Sequence, residues 1–418
     1  MMRIYTHLNK RHHPVSTHEL NQDFLYPTFK KSYFGGWDTR HFVDILKRLP
    51  NSNQYFSFHE WHDSIPASQQ GYYLLHYGNP NAVNYNIGFA TLPTVVRDQI
   101  NEGDLHLLVV FVYETFDRTY SINEWQNMFC SLLTEMGIHR KKSVKVLVSG
   151  YSENMLQHLD DRVSWIFYPW FEAAMQAEAY KNAHILKNVD VYNHKSQKKY
   201  KFLSLNRAPR AHRAILLAML EYMQISTRGY ITWPSDHRML TNVPHSDTFR
   251  MGIKRDHVFE KFLLTNTRLS DQYIDSNSDS LDPWLSAVPL YHQAEFEIVN
   301  ETHHYNIGDI VFLTEKTFRS LMVGIPFLLH GNPGSLKLLH QLGYKTFDSV
   351  FDESYDEIYS PMAALTSIAN QVHKISSIME WDQNPVHRQE VIDVANHNKK
   401  VFWEKPHANN IWNAISNS

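Results

Sequence analysis

The chain has 418 residues, which favours two domains because a single hydrophobic core rarely grows to that size. A hydrophobic fraction of 43% and an aromatic fraction of 13% exclude an intrinsically disordered chain. The formal net charge of -3 argues against a protein that binds polyanions through its net charge alone, although it allows a local basic face.

Cysteine content and apolar runs indicate the compartment. The one cysteine, Cys130, excludes an internal disulfide framework and a zinc site built on cysteines. Residues 1–13 are polar and lack the apolar segment of a signal peptide. The sequence contains no run of about 18 apolar residues, so it predicts no membrane span. We therefore expect a protein of a reducing, cytoplasmic compartment.

The 26 histidines include two adjacent pairs, His12-His13 and His303-His304. Adjacent side chains point to different sides of a helix or strand, and neither pair has a second ligand at helical spacing. We therefore expect surface and loop histidines and no metal site.

In the N-terminal half, apolar runs alternate with segments of helical spacing. The runs that predict strands are 72–77, 105–113, 144–148 and 165–168, and the helical segments are 41–49 and 122–136. Strands separated by helix-length segments favour a parallel sheet covered by helices. We predict a first α/β domain over residues 1–187.

A polar, basic stretch at 188–200 predicts a linker to a second α/β domain over residues 199–365. Its predicted strands and helices are 201–205, 211–223, 294–299 and 335–342. A helical tail over 366–418 follows, and we expect its Trp403 and Trp412 to pack back on the first domain.

Three arginines surround the predicted strand-to-helix turn of this second domain. Arg207 follows the strand, Arg210 lies in the loop, and Arg213 lies in the first helical turn. Positive charge at a helix N-terminus opposes the macrodipole, so helix stability does not explain the cluster. Helix-start amides and guanidinium groups both bind phosphate. We favour a diphosphate site over the alternative, a surface cluster paired with the acid-rich segment 270–282.

A second motif, Thr314-Glu315-Lys316, follows an apolar run and precedes a short helix, Gly324-Ile325-Pro326 and an apolar strand. At a helix start beside a parallel sheet, a carboxylate can bind ribose hydroxyls and an ammonium group can bind pyrophosphate. The motif therefore predicts a nucleotide site.

The order of these motifs over residues 202–331 resembles the donor-binding half of GT-B glycosyltransferases, and in particular the α1,3-fucosyltransferase-like group. Members of that group have a strand ending in Ser-Asn, an Arg at the start of an apolar helix, a strand ending in Phe-Glu-Asn, and then Thr-Glu-Lys. Here Ser204-Leu205-Asn206 matches with one residue inserted, Arg213 matches the helix start, and Phe296 to Thr302 leads to Thr314. The resemblance implies an α/β fold of two Rossmann-like domains that face a cleft.

The resemblance also implies the site residues. Arg213, with Arg207 as the alternative, would contact the donor diphosphate, and Glu301 would lie near the sugar. The alternative for Glu301 is a strand-end carboxylate that caps the following turn. The candidate donor-binding residues are Ser204, Asn206, Arg207, Arg210, Arg213, Glu301, Thr314, Glu315 and Lys316.

Inverting transfer of a sugar requires a general base for the acceptor hydroxyl and neutralisation of the leaving diphosphate. Arginine and lysine can supply the second role, so we expect neither a metal nor a cofactor beyond the nucleoside-diphosphate sugar. Glu114 follows the strand at 105–113 at its carboxyl end, where ligands of parallel sheets bind. We take Glu114 as the candidate base, with Asp117 as the alternative.

Several acceptor classes are compatible with the sequence. Basic stretches with interspersed aromatics, such as 139–145, suit a polyanion. A cytosolic bacterial or phage-type member would then modify hydroxymethylated pyrimidines in DNA. The alternatives are a glycan or lipid-linked acceptor and a non-enzymatic nucleic-acid-binding viral protein. The absence of G-x-x-x-x-G-K-[ST] and G-x-G-x-x-G disfavours a kinase or a dehydrogenase.

Overall fold

The computed structural model describes residues 1–6, 39–60, 71–76, 92–112, 122–157, 160–189, 191–192, 198–206, 210–232, 288–304, 310–377 and 385–418. The chain forms two compact units. The first consists of Met1–Tyr180, Ile307–Ile310 and Pro406–Ser418, and the second consists of Lys181–Asn306 and Val311–Lys405. The predicted domain boundaries at 187, 199 and 366 stay predictions.

The first unit contains a parallel sheet of six strands. These are β1 (Met2–Thr6), β2 (Phe56–Glu60), β3 (Gly71–His76), β4 (Leu105–Phe111), β5 (Val144–Val148) and β6 (Val163–Phe167), in the order β2-β1-β3-β4-β5-β6. Among its described residues, the helices before residue 180 are α1 (Thr39–Arg48), α2 (Thr94–Glu102), α3 (Ile122–Glu135) and α4 (Trp170–Ala179). The predicted helix-covered parallel sheet is confirmed.

Alternating side chains explain how this sheet is covered. Leu107, Val109 and Phe111 of β4 point to one face, where helix α3 packs against them in a single core. Trp125 and Phe129 lie four residues apart on α3 and stack with ring centroids 5.6 Å apart, as the helical period requires. The two-residue period of β4 and the 3.6-residue period of α3 therefore each direct apolar side chains to the face where strand and helix meet.

The second unit contains a parallel sheet of four strands. These are β7 (Tyr200–Leu205), β8 (Gly229–Thr232), β9 (Ala294–Asn300) and β10 (Phe327–His330), in the order β10-β9-β7-β8. Its helices are α5 (Ala183–Leu186), α6 (Ala211–Tyr222), α7 (Val288–Tyr291), α8 (Glu315–Val323), α9 (Ser335–Gln341), α10 (Pro361–Ser377) and α11 (Pro385–Glu404). Both units are thus parallel α/β structures, compatible with a two-domain Rossmann-like arrangement.

The last helix, α12 (His407–Ser416), belongs to the first unit. The Tyr168 hydroxyl and His407 Nδ1 are 2.5 Å apart, and the ring of Trp412 lies 6.1 Å from that of Tyr55. Trp403 belongs instead to the second unit, where the Lys187 ammonium lies 5.2 Å above its ring. Trp412 therefore belongs to the first unit, as expected, whereas Trp403 belongs to the second.

The strand order of the second sheet reverses between β7 and β9. From β7 the chain runs outward to β8, and the next described strand of the sheet, β9, lies on the other side of β7. In open parallel sheets, ligands bind in the crevice outside the carboxyl ends of the strands at such a point. The first sheet reverses between β1 and β3, but the residues that follow those strands, 7–38 and 77–91, lie outside the described residues.

Among the helices of the described part of the chain, none combines the length and the apolar character needed to cross a bilayer.

Candidate functional site

The candidate site lies at the carboxyl ends of β7, β9 and β10, where the strand order reverses. Three polar residues end or follow these strands: Asn206 after β7, Asn300 at the end of β9, and His330 at the end of β10. Helix α6 follows β7 and helix α8 follows β9 in the chain. The two motifs found in the sequence therefore belong to adjacent central strands of one sheet.

A buried amide network joins the ends of β7 and β9. The Asn206 side-chain amide donates to the Ser204 hydroxyl at 3.0 Å, and the Asn300 amide donates to Asn206 Oδ1 at 3.2 Å. The backbone N–H of Asn206 donates to the Thr232 hydroxyl at 2.8 Å, which adds β8 to the network. Ser204 and Asn206 thus fix the edge of the sheet through contacts inside the protein.

Arg213 lies in the first turn of α6 and is buried, with a relative exposure of 2%. Its Nη2 donates to the main-chain carbonyls of Asn300 at 3.0 Å and Glu301 at 3.1 Å. The neighbouring His212 Nε2 donates to the same Glu301 carbonyl at 3.0 Å. Two consecutive residues of α6 therefore hold the end of β9, and these contacts give Arg213 a positioning role in addition to the predicted diphosphate contact.

Glu301 connects the end of β9 to the start of α8. Its carboxylate is fully buried, at 0% exposure, and accepts hydrogen bonds from the Thr314 N–H at 2.9 Å and the Thr317 hydroxyl at 2.6 Å. The Thr314 hydroxyl and the Thr302 N–H also donate to it, at 2.5 and 3.3 Å. These contacts are those of a strand-end carboxylate that caps the next turn, the alternative that the sequence left open for this residue.

Glu315 and Lys316 are the accessible members of the motif, with side-chain exposures of 21% and 15%. They form an ion pair at 2.8 Å, and Lys316 Nζ also donates to the Thr314 hydroxyl at 3.0 Å. Burial raises the pKa of the Glu315 carboxyl, but the charge and hydrogen bond of Lys316 outweigh it, so the pKa is lowered overall. Glu315 is therefore an ionised hydrogen-bond acceptor at neutral pH.

Arg210 precedes α6 as its N-cap residue and is partly exposed. Thr314 is the N-cap residue of α8. Neither the Arg210 nor the Thr314 side chain makes a capping hydrogen bond to the first N–H groups of its helix. The first N–H groups of a helix have no partner within the helix and carry its positive dipole end. The site therefore combines two helix starts with the cations of Arg210 and Lys316, an arrangement that suits a phosphate group.

Sequence reasoning missed a buried ionic network beneath α8. Glu297, in the middle of β9, accepts a hydrogen bond from the Tyr291 hydroxyl at 2.9 Å and one from the Ser320 hydroxyl. Arg319 Nε donates to the Tyr291 oxygen at 2.6 Å, and its Nη2 lies 3.4 Å from Glu297. The sequence signal that was available is Glu297 between the apolar residues Phe296 and Ile298, four residues before the candidate Glu301.

The expectation of surface histidines is wrong for His303 and His304, which are both buried. The aromatic residues around them explain the difference: the His303 ring lies 5.6 Å from that of Phe312, and the His304 ring lies 4.0 Å from that of His212. Within the described ranges, no group of three or more His, Cys, Asp or Glu side chains is arranged to hold a metal ion.

Several predicted site residues have no structural description. Glu114, Asp117 and Arg207 lie outside the described residues, so their roles stay predictions.

The basic stretch 139–145 is described, and part of its charge is used inside the protein. Lys145 is buried and donates to the Ser164 hydroxyl at 3.3 Å, and Lys141 pairs with Asp161 at 2.7 Å. Fewer cations of this stretch are therefore available to a polyanion than the sequence suggested.

Comparison of the chain with protein-family models, curated proteins and solved structures returns no match.

Proposed function

We propose that the chain is a glycosyltransferase that moves a sugar from a nucleoside-diphosphate sugar to a hydroxyl acceptor, with inversion and without a metal. The observation that carries this proposal is the pair of helix starts at the strand-order reversal of the second sheet. Helix α6 brings Arg210, and helix α8 brings Glu315 and Lys316. Arg213 and Glu301 join the two helix starts through the end of β9.

The diphosphate is the leaving group, and its developing negative charge is the main target for stabilisation. In this proposal, the N–H groups at the starts of α6 and α8, together with Arg210 and Lys316, take the phosphate oxygens. Glu315 accepts hydrogen bonds from the ribose hydroxyls, and its lowered pKa keeps it ionised for that role. Arg213 and Glu301 fix the end of β9 relative to the two helix starts. Ser204, Asn206 and Thr314 stabilise this arrangement through their hydrogen bonds.

Inversion requires one displacement at the anomeric carbon. The acceptor oxygen forms a bond to that carbon, its proton passes to a carboxylate, and the bond to the diphosphate breaks with its electron pair. We propose Glu114 as this base, with Asp117 as the alternative. The fold would then be of the GT-B type, with the two α/β domains facing a cleft.

Two acceptor classes remain in the proposal. Hydroxymethylated pyrimidine in phage DNA follows from the basic and aromatic stretches, and it would place the protein in the bacterial cytosol or an infected host. A glycan or a lipid-linked sugar is the second class. The burial of Lys145 and the pairing of Lys141 reduce the cationic surface of the stretch 139–145, which favours this second class.

A thermal-shift panel of GDP, UDP, CDP and ADP, with their sugars and with a chelator present, tests the proposal. A ligand that binds only the folded state stabilises it by RT ln(1 + [L]/Kd), about 2.7 kcal/mol when its concentration is about 100 times Kd. We expect one nucleoside to raise the Tm of the second unit without added metal. If none of the nucleotides raises it, the proposed donor site is wrong.

The same panel on Lys316→Met and Lys337→Met separates specific binding from a general charge effect. Lys337 is exposed on α9, a neighbouring helix of the same unit. The Lys316 variant should lose most of the shift, and the Lys337 variant should keep it. If both variants lose the shift equally, nonspecific attraction explains the binding and the site assignment fails.

A further inference from the structure

Three histidines from different elements meet at the carboxyl edge of the second sheet. His212 lies on α6, His304 follows β9, and His330 ends β10, with relative exposures of 0%, 4% and 2%. The ring centroid of His212 lies 4.0 Å from that of His304 and 5.2 Å from that of His330, and the centroids of His304 and His330 are 5.5 Å apart. We call these three residues the histidine cluster.

The hydrogen bonds of the cluster define a neutral state. His212 Nε2 faces the Glu301 carbonyl, which only accepts, so Nε2 carries the proton and Nδ1 is the free base. Within the described residues, His212 Nδ1 and both ring nitrogens of His330 are buried without a hydrogen-bond partner. A buried imidazole without partners has nothing to stabilise an added proton.

The charges around the cluster also oppose protonation. On α6, the charge of the buried Arg213 guanidinium acts on His212 and His330, and Arg210 lies at the helix start. The nearest carboxylate after β9, that of Glu301, is engaged by Thr314 and Thr317. At the start of α8, Glu315 is paired with Lys316. The cluster therefore has a buried cation beside it, and the carboxylates of the adjoining elements already have other partners.

The pKa values follow from this environment. Burial, with further contributions from His304, Arg213 and His330, holds the pKa of His212 well below its usual value. Burial and the charge of Arg213 lower the pKa of His330 to about 3. Both groups therefore stay neutral in the folded protein over a wide range in which a free histidine is charged.

We propose that the histidine cluster is an acid-sensitive device that releases the segment Glu301–His304 from the start of α6. The rings are neutral while the segment is in place and can bind protons once it moves away, so acid favours the released arrangement. His304 belongs to the segment that Glu301 anchors. Release of this segment frees the start of α8 and hence Lys316. The device is a property of the fold and does not depend on which ligand binds there.

The direction of the pH effect follows from linkage. A histidine with a lowered folded-state pKa binds its proton only in the unfolded state at intermediate pH, so its contribution to stability is present above about pH 6.5 and is lost as the pH falls. Each such histidine raises the unfolding equilibrium constant about tenfold for each pH unit below about 6. Acid should therefore destabilise the second unit.

The test compares denaturant unfolding of the second unit in the wild-type chain and in His330→Leu from about pH 7.5 to about pH 4.5. For each pH unit below about 6, the unfolding equilibrium constant of the His330→Leu variant should rise by a factor about ten times smaller than that of the wild type, because one site of linkage is removed. His330→Asn, which keeps a polar side chain, should give the same reduced slope. His373→Leu, on the exposed face of α10, serves as control and should keep the wild-type slope.

A local measurement distinguishes the device from general acid destabilisation. The Glu301 N–H donates to the His330 carbonyl at 2.9 Å, and the Thr314 N–H donates to the Glu301 carboxylate, so hydrogen exchange at these amides reports the segment. In wild-type protein near pH 5, their protection should fall while that of Leu203 in β7 persists. Parallel pH slopes in wild type and both His330 variants, or unchanged protection at Glu301 and Thr314, would overturn the proposal.

Discussion

Replacing Arg319 with methionine should lower the free energy of unfolding of the second unit by about 3 to 5 kcal/mol, because it leaves the buried Glu297 carboxylate without its cation. Arg319 Nε donates to Tyr291, Tyr291 donates to Glu297, and Nη2 approaches Glu297 directly. Denaturant unfolding, followed by a probe in the second unit, measures the loss.

The pH dependence of this loss provides a second signature. Burial raises the pKa of Glu297, and Arg319 counteracts part of that effect. Without Arg319 the folded-state pKa rises further, so the variant can bind a proton at mildly acidic pH and recover part of its stability. The destabilisation by Arg319→Met should therefore be larger near pH 8 than near pH 5.

Two controls accompany this prediction. The double variant Glu297→Leu/Arg319→Met removes both charges and should recover most of the loss, because replacing a buried ion pair by apolar side chains is often neutral. Lys337→Met changes an exposed residue of the same unit and should alter the free energy of unfolding far less. A loss from Arg319→Met no larger than that from Lys337→Met would show that Glu297 needs no cation.

Replacing Lys316 with methionine should reduce turnover of the correct nucleotide sugar by about 100- to 1000-fold, the usual effect of removing one hydrogen-bond donor that stabilises developing negative charge. The Lys316 ammonium is held by Glu315 and Thr314 at the start of α8, with part of its surface accessible. Steady-state kinetics of donor hydrolysis or transfer measure kcat/KM. Lys337→Met should leave kcat/KM close to that of the wild type.

The outcome of this experiment also separates the proposed enzyme from a nucleic-acid-binding protein. In the enzyme, Lys316→Met lowers turnover by this factor while the chain keeps its thermal stability and any affinity for DNA. If wild type and Lys316→Met hydrolyse the donor equally well, Lys316 does not contact the leaving group. The Thr314-Glu315-Lys316 motif would then not be part of a donor site.

Much of the fold was predictable because its signals are local. The buried strand β4 stands out as an apolar run, and the helix α6 begins within its predicted segment at Ala211. Strands β1 and β2 were missed because polar side chains stand among the apolar ones in each five-residue strand, whereas β5, of the same length, is mostly apolar. Short strands of this kind depend on their neighbours in the sheet, and a linear pattern does not identify those neighbours.

The candidate site was predictable in position but not in the roles of its residues. Chain order placed Asn206, Arg213 and Lys316 near the ends of neighbouring strands, because carboxyl ends of parallel strands share one edge. Burial decides which groups face a ligand, and it arises from tertiary packing. Arg213 and Glu301 are therefore buried in contacts with the protein, whereas Glu315 and Lys316, which follow Glu301 by one loop, keep accessible surface.

Hydrogen exchange with and without the nucleoside diphosphate that raises the Tm most is the most direct measurement of the central claim. We predict slower exchange at the first amides of α6, near Ala211, and of α8, near Glu315, because those N–H groups would bind the phosphates. Protection confined to the first unit, with the starts of both helices unchanged, would contradict the account.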